Sequence, residues 1–264
     1  MYGGLCHERH FHSCIQLKEQ LTFGRVEHAW LTGAKESLVH RGRMEMTATF
    51  LQQTNHSHMM WLDGDIEFAP EDVGKIWALA ETAEVVVGVY AMKKDGEEWY
   101  SAWKDGKLVD IDSLSGPTEV DYAGTGFMMI SRKAIVALHQ YLNAREARGL
   151  KLLSQISSST DEDKSLIKQM ANSLKPDYEG QHGRVPALYM TPIHDDSLES
   201  EDYHFCRVAR EAGFKVIMDP SVRLIHWGQK GYGKASVSGV HFSDCAQHNA
   251  PALPVGPCDC GADA

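Results

Sequence analysis

The chain has 264 residues, enough for one large domain or two small ones with a substantial core. Its 36 acidic against 26 basic residues give a formal charge of −10, which disfavours non-specific polyanion binding but leaves room for a local basic channel. No apolar run approaches the ~20 residues that cross a bilayer, no signal peptide precedes the first polar residues, and six cysteines (Cys6, Cys14, Cys206, Cys245, Cys258, Cys260) lack the spacing of a disulfide framework, so the expectation is a cytoplasmic globular protein with reduced thiols.

In chain order, His7, His10 and His12 with Cys6 and Cys14 read either as zinc ligands or as the start of an amphipathic helix, and their spacing favours the helix. Leu38, Val39, Met46, Phe50 and Leu51 recur at helical intervals, which predicts a helix over 34–53. A strand follows at His58–Leu62. Pro70, with Glu71 and Asp72 beside it, marks the first turn of a helix to about Ala83. The β-branched run from Glu84 to Tyr90 reads as a strand buried on both faces. Residues 97–110 form a hairpin around Asp105-Gly106, and Gly126–Ile130 is a strand before a helix that Ser131 caps. Further strands are expected at 187–190, 214–218 and 222–226, with a helix from Ser200 to Ala212 that Gly213 stops. Alternating strands and helices predict an α/β sandwich around a mostly parallel sheet. Residues 143–183 are polar and form a helical insertion, and 229–264 form a flexible loop and tail.

Three groups of residues carry chemistry. The strand His58–Leu62 runs straight into Asp63-Gly64-Asp65, and unpaired buried carboxylates are costly. These acids therefore sit at the exposed C-terminal edge of the strand or neutralise a cation. That edge is where open α/β sheets bind ligands, and hard oxygen donors there suit Mg²⁺ or Mn²⁺ and a diphosphate. Alone, the pattern is equally an acidic Asp-Gly turn. Glu199, Glu201 and Asp202 cluster at a helix start, where the backbone dipole favours negative charge; one of them aimed inward would serve as a general base. His226 ends a strand and could complete the coordination of a divalent ion.

Taken together, Tyr2-Gly3-Gly4, Arg41-Gly42-Arg43, Asp63-Gly64-Asp65, Ala123–Phe127, Ser200–Arg207 and His226 resemble the nucleotide-sugar-dependent glycosyltransferases of the GT-A fold, especially the family-2-like branch common in phages and bacteria. The resemblance spans residues 1–228 and implies a GT-A type αβα sandwich with a mostly parallel, Rossmann-like sheet. It implies Asp65 and His226 as metal ligands, with Asp63 facing the ribose or the metal at the same turn as Gly64. Tyr2 and Gly3 would lie near the base, and Arg41, or alternatively Arg43, near the diphosphate. Gly124, Thr125 and Gly126 would let donor or acceptor approach the backbone closely. Asp202 would be the catalytic base of an inverting transfer and Glu201 would hold the acceptor hydroxyl, although retaining enzymes share the scaffold. The implied cofactors are Mn²⁺ or Mg²⁺ and a nucleotide-diphosphate sugar, with a UDP-sugar favoured. The acceptor is an unknown hydroxyl, with glycan, protein, lipid-linked sugar and a modified base in phage DNA all left open, in host cytoplasm if phage-encoded.

Members of this family open with a buried strand before the early aromatic, whereas only Met1 precedes Tyr2 here. A non-catalytic protein binding nucleotide sugar or glycan on the same scaffold is the alternative. No Walker-type phosphate loop is present to favour an NTPase. Trp99, Tyr100 and Trp103 read as cross-strand packing or as an aromatic platform, with packing favoured. Cys258-Asp259-Cys260 with Cys245 and His241 would be a poor preformed metal site in a flexible tail. His194-Asp195-Asp196 reads as an acceptor contact or a solvated turn.

Overall fold

The computed structural model describes residues 5–33, 38–94, 99–156, 160–180, 183–194, 196–228 and 231–232. Helices α1 (Glu8–Phe23) and α2 (Val39–Gln53) precede β1 (His58–Leu62) and the short β2 (Ile66–Glu67). Helix α3 (Pro70–Ala80) starts on Pro70, and the Asp72 carboxylate accepts the Ala69 N–H at 3.0 Å. Strand β3 (Val85–Tyr90) leads into an excursion of short strands: β4 (Ala102–Lys104), β5 (Lys107–Leu108), β6 (Thr118–Val120) and β7 (Tyr122–Ala123). The β4–β5 turn has positive φ at both Asp105 (51°) and Gly106 (72°), the backbone that a two-residue hairpin requires.

Strand β8 (Phe127–Ser131) returns to the sheet, and Ser131 caps α4 (Arg132–Leu153) by accepting the Ala134 N–H at 3.0 Å. Helix α5 (Asp161–Ser173) and the hairpins β9 (Asp177–Gly180) with β10 (Gly183–Pro186), then β11 (Ile193–His194) with β12 (Ser197–Leu198), come next. Helix α6 (Glu201–Glu211) ends near Gly213, whose φ of 89° a side chain would resist. The long β13 (Val216–Trp227) and β14 (Gly231–Tyr232) complete the described chain.

All six residues of β3 are buried, and their alternation divides the core. Val85, Val87 and Val89 pack with Trp61, Met128, Ile130, Val216 and Met218 beneath α2, α4 and α6. Val86 and Tyr90 face the other way, with Phe127, Met129, Val222 and Leu224, against Leu17 of α1 and Val73 and Ile76 of α3. The result is a three-layer α/β/α arrangement.

The sheet itself corrects the sequence expectation. Its order is β1-β8-β3-β13-β14, with β2 and β6 also on β13. Among the described residues β3–β13 is its one parallel pair, and the other pairings are antiparallel. A parallel neighbour needs a crossover, usually a helix. The chain between β3 and β8 makes short strands instead, so β8 comes back antiparallel between β1 and β3. The sheet is mixed rather than Rossmann-like.

Two strand assignments also change. Residues 187–190 form no strand. They are apolar because Leu188 and Tyr189 fill the core, the Tyr189 ring stacking on Phe205 at 4.9 Å. The strands expected at 214–218 and 222–226 are one strand, whose register shifts between Asp219 and Arg223 around Pro220.

The 143–183 insertion begins inside α4, which runs unbroken from Arg132, and continues through α5, none of whose residues is fully buried. Of residues 229–264 only Gly231 and Tyr232 are described. Among the described residues no helix is long and apolar enough to cross a membrane.

Candidate active site

The ends of β1, β3 and β13 and the start of β8 meet at one edge of the sheet, and the chemistry-bearing residues gather there. Strand β1 stops at Asp63, whose N–H donates to the Gly126 carbonyl at 2.9 Å. The turn through Gly64 is held from outside by the His7 N–H, 2.6 Å from the Gly64 carbonyl, at the start of α1. One residue on, β2 pairs with β13 so that Ile66 opposes His226, and the Trp227 N–H reaches the Asp65 carbonyl at 2.7 Å. Trp227 is pinned further by its indole N–H on Glu67 (2.6 Å) and by the His7 ring stacked 4.5 Å away. Backbone pairing therefore brings Asp65 and His226 together.

The imidazole is oriented for ligation. His226 Nδ1 lies 2.9 Å from the Ala91 carbonyl and so carries the proton of that bond, and Nε2, 3.6 Å from Asp65 Oδ2, is the nitrogen turned to the carboxylate. The Lys93 ammonium sits on that same Oδ2 at 2.5 Å. Burial pushes the Asp65 carboxyl up, but His226 and Lys93 together hold it well below the usual carboxylate range.

This donor set fits a hard divalent ion. A carboxylate oxygen and an imidazole nitrogen suit Mn²⁺ or Mg²⁺, which take remaining ligands from water and phosphate. Among the described residues no group of three or more His, Cys, Asp or Glu is placed to hold a metal.

Arg43 joins the strand edge to α6. Its guanidinium donates to Asp63 Oδ2 at 2.8 Å, lies 3.9 Å from Glu201 Oε1 through Nε, and covers the Trp61 ring at 5.2 Å. Burial opposes its charge, yet Asp63 keeps it firmly protonated. Arg41, the first-named candidate for the diphosphate, is exposed on α2. Residues two apart on a helix face nearly opposite ways, and Arg43 is the one whose guanidinium is seen on Asp63. Glu201 is pushed above its ordinary value by burial and by the adjacent Asp202. Asp202 accepts from the Ser200 hydroxyl and, at 2.8 Å, from the Tyr203 N–H in the first turn of α6.

The glycine turn has a different neighbour from the one expected. A side chain at Gly124 would meet the Tyr90 hydroxyl at 2.0 Å, and one at Gly126 would stand 3.0 Å from both Asp63 Oδ2 and that hydroxyl. Gly126 N–H donates to Tyr90 Oη at 3.1 Å, while Thr125 Oγ1 is buried with no hydrogen-bond partner. The close approach is therefore made by Tyr90 and Asp63. Burial, with Asp63 and Asp202 near, pushes the Tyr90 hydroxyl well above its usual range, so it stays neutral.

Other candidates separate from the site. Helix α1 absorbs the histidine group: His10 Nδ1 meets the Ile66 carbonyl at 2.9 Å, Nε2 meets Cys14 Sγ at 3.3 Å, and His12 is exposed. Trp99, Tyr100 and Trp103 do not form one platform. Tyr100 is buried, Trp103 pairs with Tyr122 across β4–β7, and Trp99 lies under the Lys94 ammonium at 3.6 Å. Tyr2, Gly3, Asp195, His241, Cys245, Cys258 and Cys260 lie outside the described residues. A groove of 760 Å³ lined by His58, Glu84 and Lys133 lies at the opposite edge of the sheet, far from these carboxylates.

Sequence reasoning missed Lys93 and Tyr90. Both follow the strand-edge rule that found Asp63, applied to the end of β3. It also missed the buried clamp behind α6, in which Arg207 grips the Glu199 carboxylate through Nε at 2.8 Å and Nη2 at 2.9 Å while His204 meets it at 3.0 Å.

No family model and no curated protein matches the chain. Among solved structures it is similar to A197 from STIV, at 16% identity and a TM-score of 0.48 over 86% of this chain and 82% of that one.

Proposed function

We propose that this protein is a glycosyltransferase of the GT-A type, moving a sugar from a nucleotide diphosphate to an acceptor hydroxyl with Mn²⁺ or Mg²⁺ at Asp65 and His226. The observation that carries this reading is the pairing of Asp65 Oδ2 with Nε2 of a His226 ring anchored through Nδ1, at a strand edge that Arg43 links to the acidic start of α6. The bound ion would supply Lewis-acid stabilisation of the charge growing on the leaving phosphate oxygen. Arg43 holds Asp63 and Glu201 in place without needing to ionise or reorganise during reaction.

Asp202 is the base. The acceptor oxygen bonds to the anomeric carbon as the bond from that carbon to the phosphate oxygen breaks, and the acceptor proton passes to the Asp202 carboxylate. Glu201, whose carboxyl is raised, holds the acceptor hydroxyl. Attack opposite the leaving group inverts the anomeric centre. Dense acidity at this edge and over the whole chain favours a glycan hydroxyl over a base in DNA.

The test is calorimetry of UDP and GDP with and without Mn²⁺, joined to transfer assays on a glycan panel and on hydroxymethylated duplex DNA. Wild type should bind one nucleotide in a Mn²⁺-dependent way that Asp65→Asn loses. Asp202→Asn should retain binding and lose transfer by roughly 10²–10⁴-fold, the usual contribution of a general base. Full transfer by Asp202→Asn would remove its role, and metal-dependent binding without transfer by any acceptor would leave a binding protein.

A further inference from the structure

We propose that Lys93 and a divalent ion are alternative occupants of the Asp65 carboxylate, and that the ammonium passes to the phosphates of the donor when the ion arrives. The inference rests on the metal assignment above and assigns a residue which that reading does not use.

The geometry is local and specific. Lys93 Nζ lies 2.5 Å from Asp65 Oδ2, the same oxygen that His226 Nε2 faces at 3.6 Å. A doubly charged ion on that oxygen would stand within a few ångströms of the ammonium, and two cations on one carboxylate oxygen repel. Neither can be held fully while the other is present.

The lysine is free to leave. Its side chain is 34% exposed, and its Cδ runs beside Gly228, 3.3 Å from where a β-carbon there would stand, so a larger residue at 228 would crowd its path. The same short segment fixes the imidazole, since the Ala91 carbonyl accepts the hydrogen bond that His226 Nδ1–H donates. Residues 91–93 thus prepare the metal ligand with backbone and guard it with a side chain. Lys94 does not share the task, because its ammonium lies over Trp99.

A displaced ammonium at this edge can pair with the anionic diphosphate brought by the ion, since Arg43 already holds Asp63 and faces Glu201. Lysine is well suited to that exchange as a compact charge on a flexible stem. Metal and diphosphate should therefore bind cooperatively, since the first frees the cation that the second uses.

The experiment is Mn²⁺ binding by the full chain without nucleotide, followed by electron paramagnetic resonance of free Mn²⁺, then UDP binding at saturating Mn²⁺. Lys93→Met should bind Mn²⁺ at least about fivefold more tightly than wild type and bind UDP more weakly, the low end of ordinary coupling between two ligands. Lys93→Arg should stay near wild type for Mn²⁺, and Asp65→Asn should bind none. Lys94→Met removes the same charge one residue away and should leave Mn²⁺ affinity unchanged.

An unchanged or weaker Mn²⁺ affinity in Lys93→Met, or an equal gain in Lys94→Met, overturns the role of Lys93 and leaves the metal site standing. Wild-type affinity in Asp65→Asn, or no binding by wild type and Lys93→Met alike, overturns the metal site and the inference with it.

Discussion

Arg43 shows how a single residue can organise a site it need not leave. Its buried guanidinium contacts Asp63 on the strand edge and faces Glu201 on α6, so two carboxylates from distant parts of the chain share one fixed cation. An unpaired charge at that depth would be heavily penalised. His226 has the complementary design, with one nitrogen spent on a backbone carbonyl and the other left available. Replacing it with Ala should weaken Mn²⁺-dependent nucleotide binding by at least about tenfold, the lower end of the loss when even a supporting group of a metal site is removed. The same titration on His226→Ala checks this, and undiminished affinity would remove His226 from the ligand set.

At the scale of elements, the 124–126 turn and α3 make contrasting uses of glycine. Gly124 faces the hydroxyl of the buried Tyr90, which is confined by the core and cannot retreat. Gly124→Ala should destabilise the fold by about 1–3 kcal/mol through overpacking. Gly74 lies on the exposed face of α3 with nothing within 4 Å of its missing β-carbon. Gly74→Ala should stabilise by about 0.5–1 kcal/mol, because alanine restricts the unfolded chain and favours helix. Urea unfolding of the two variants measures both effects, and equal outcomes would show that the tight contact at Gly124 is not felt.

Across the whole molecule, buried titratable groups set an acid limit on stability. Burial lowers the carboxyl-bound His204 and the carbonyl-bound His10 below the ordinary histidine value. The unfolded chain therefore takes up these protons first as pH falls below about 6.5, and stability declines by up to about 1.4 kcal/mol per pH unit for each histidine. Desolvation opposes the charge of buried Glu199 and of the more exposed Glu211, yet both are held below their ordinary values, by Arg207 above all, so their contribution is present above the carboxylate range and is lost at still lower pH. The melting temperature should fall between pH 7 and pH 5, and less steeply in His10→Gln, whose amide can still meet the Ile66 carbonyl. A slope unchanged by that substitution would show that His10 titrates alike in both states.

Local signals alone determined much of this protein. Proline at the first turn of α3, Ser131 at the cap of α4, Asp105-Gly106 between β4 and β5, and Gly213 after α6 act within a few residues of themselves, so composition and spacing reveal them. The acids of the Asp63-Gly64-Asp65 turn and the start of α6 were legible for the same reason, since clustered charge cannot sit deep in a core unpaired. Tertiary structure alone decided how these pieces meet. Strand direction depends on what the chain does between β3 and β8, and the apolar run at 187–190 fills space without extending as a strand. Arg43 meets Asp63 because a helix turns its residues about an axis that packing orients. Lys93 reaches Asp65 across 28 positions only because β1 and β3 end at the same edge of the sheet. Periodicity reports which face of an element is apolar; which other element covers that face, and which charges meet there, is settled by non-local packing.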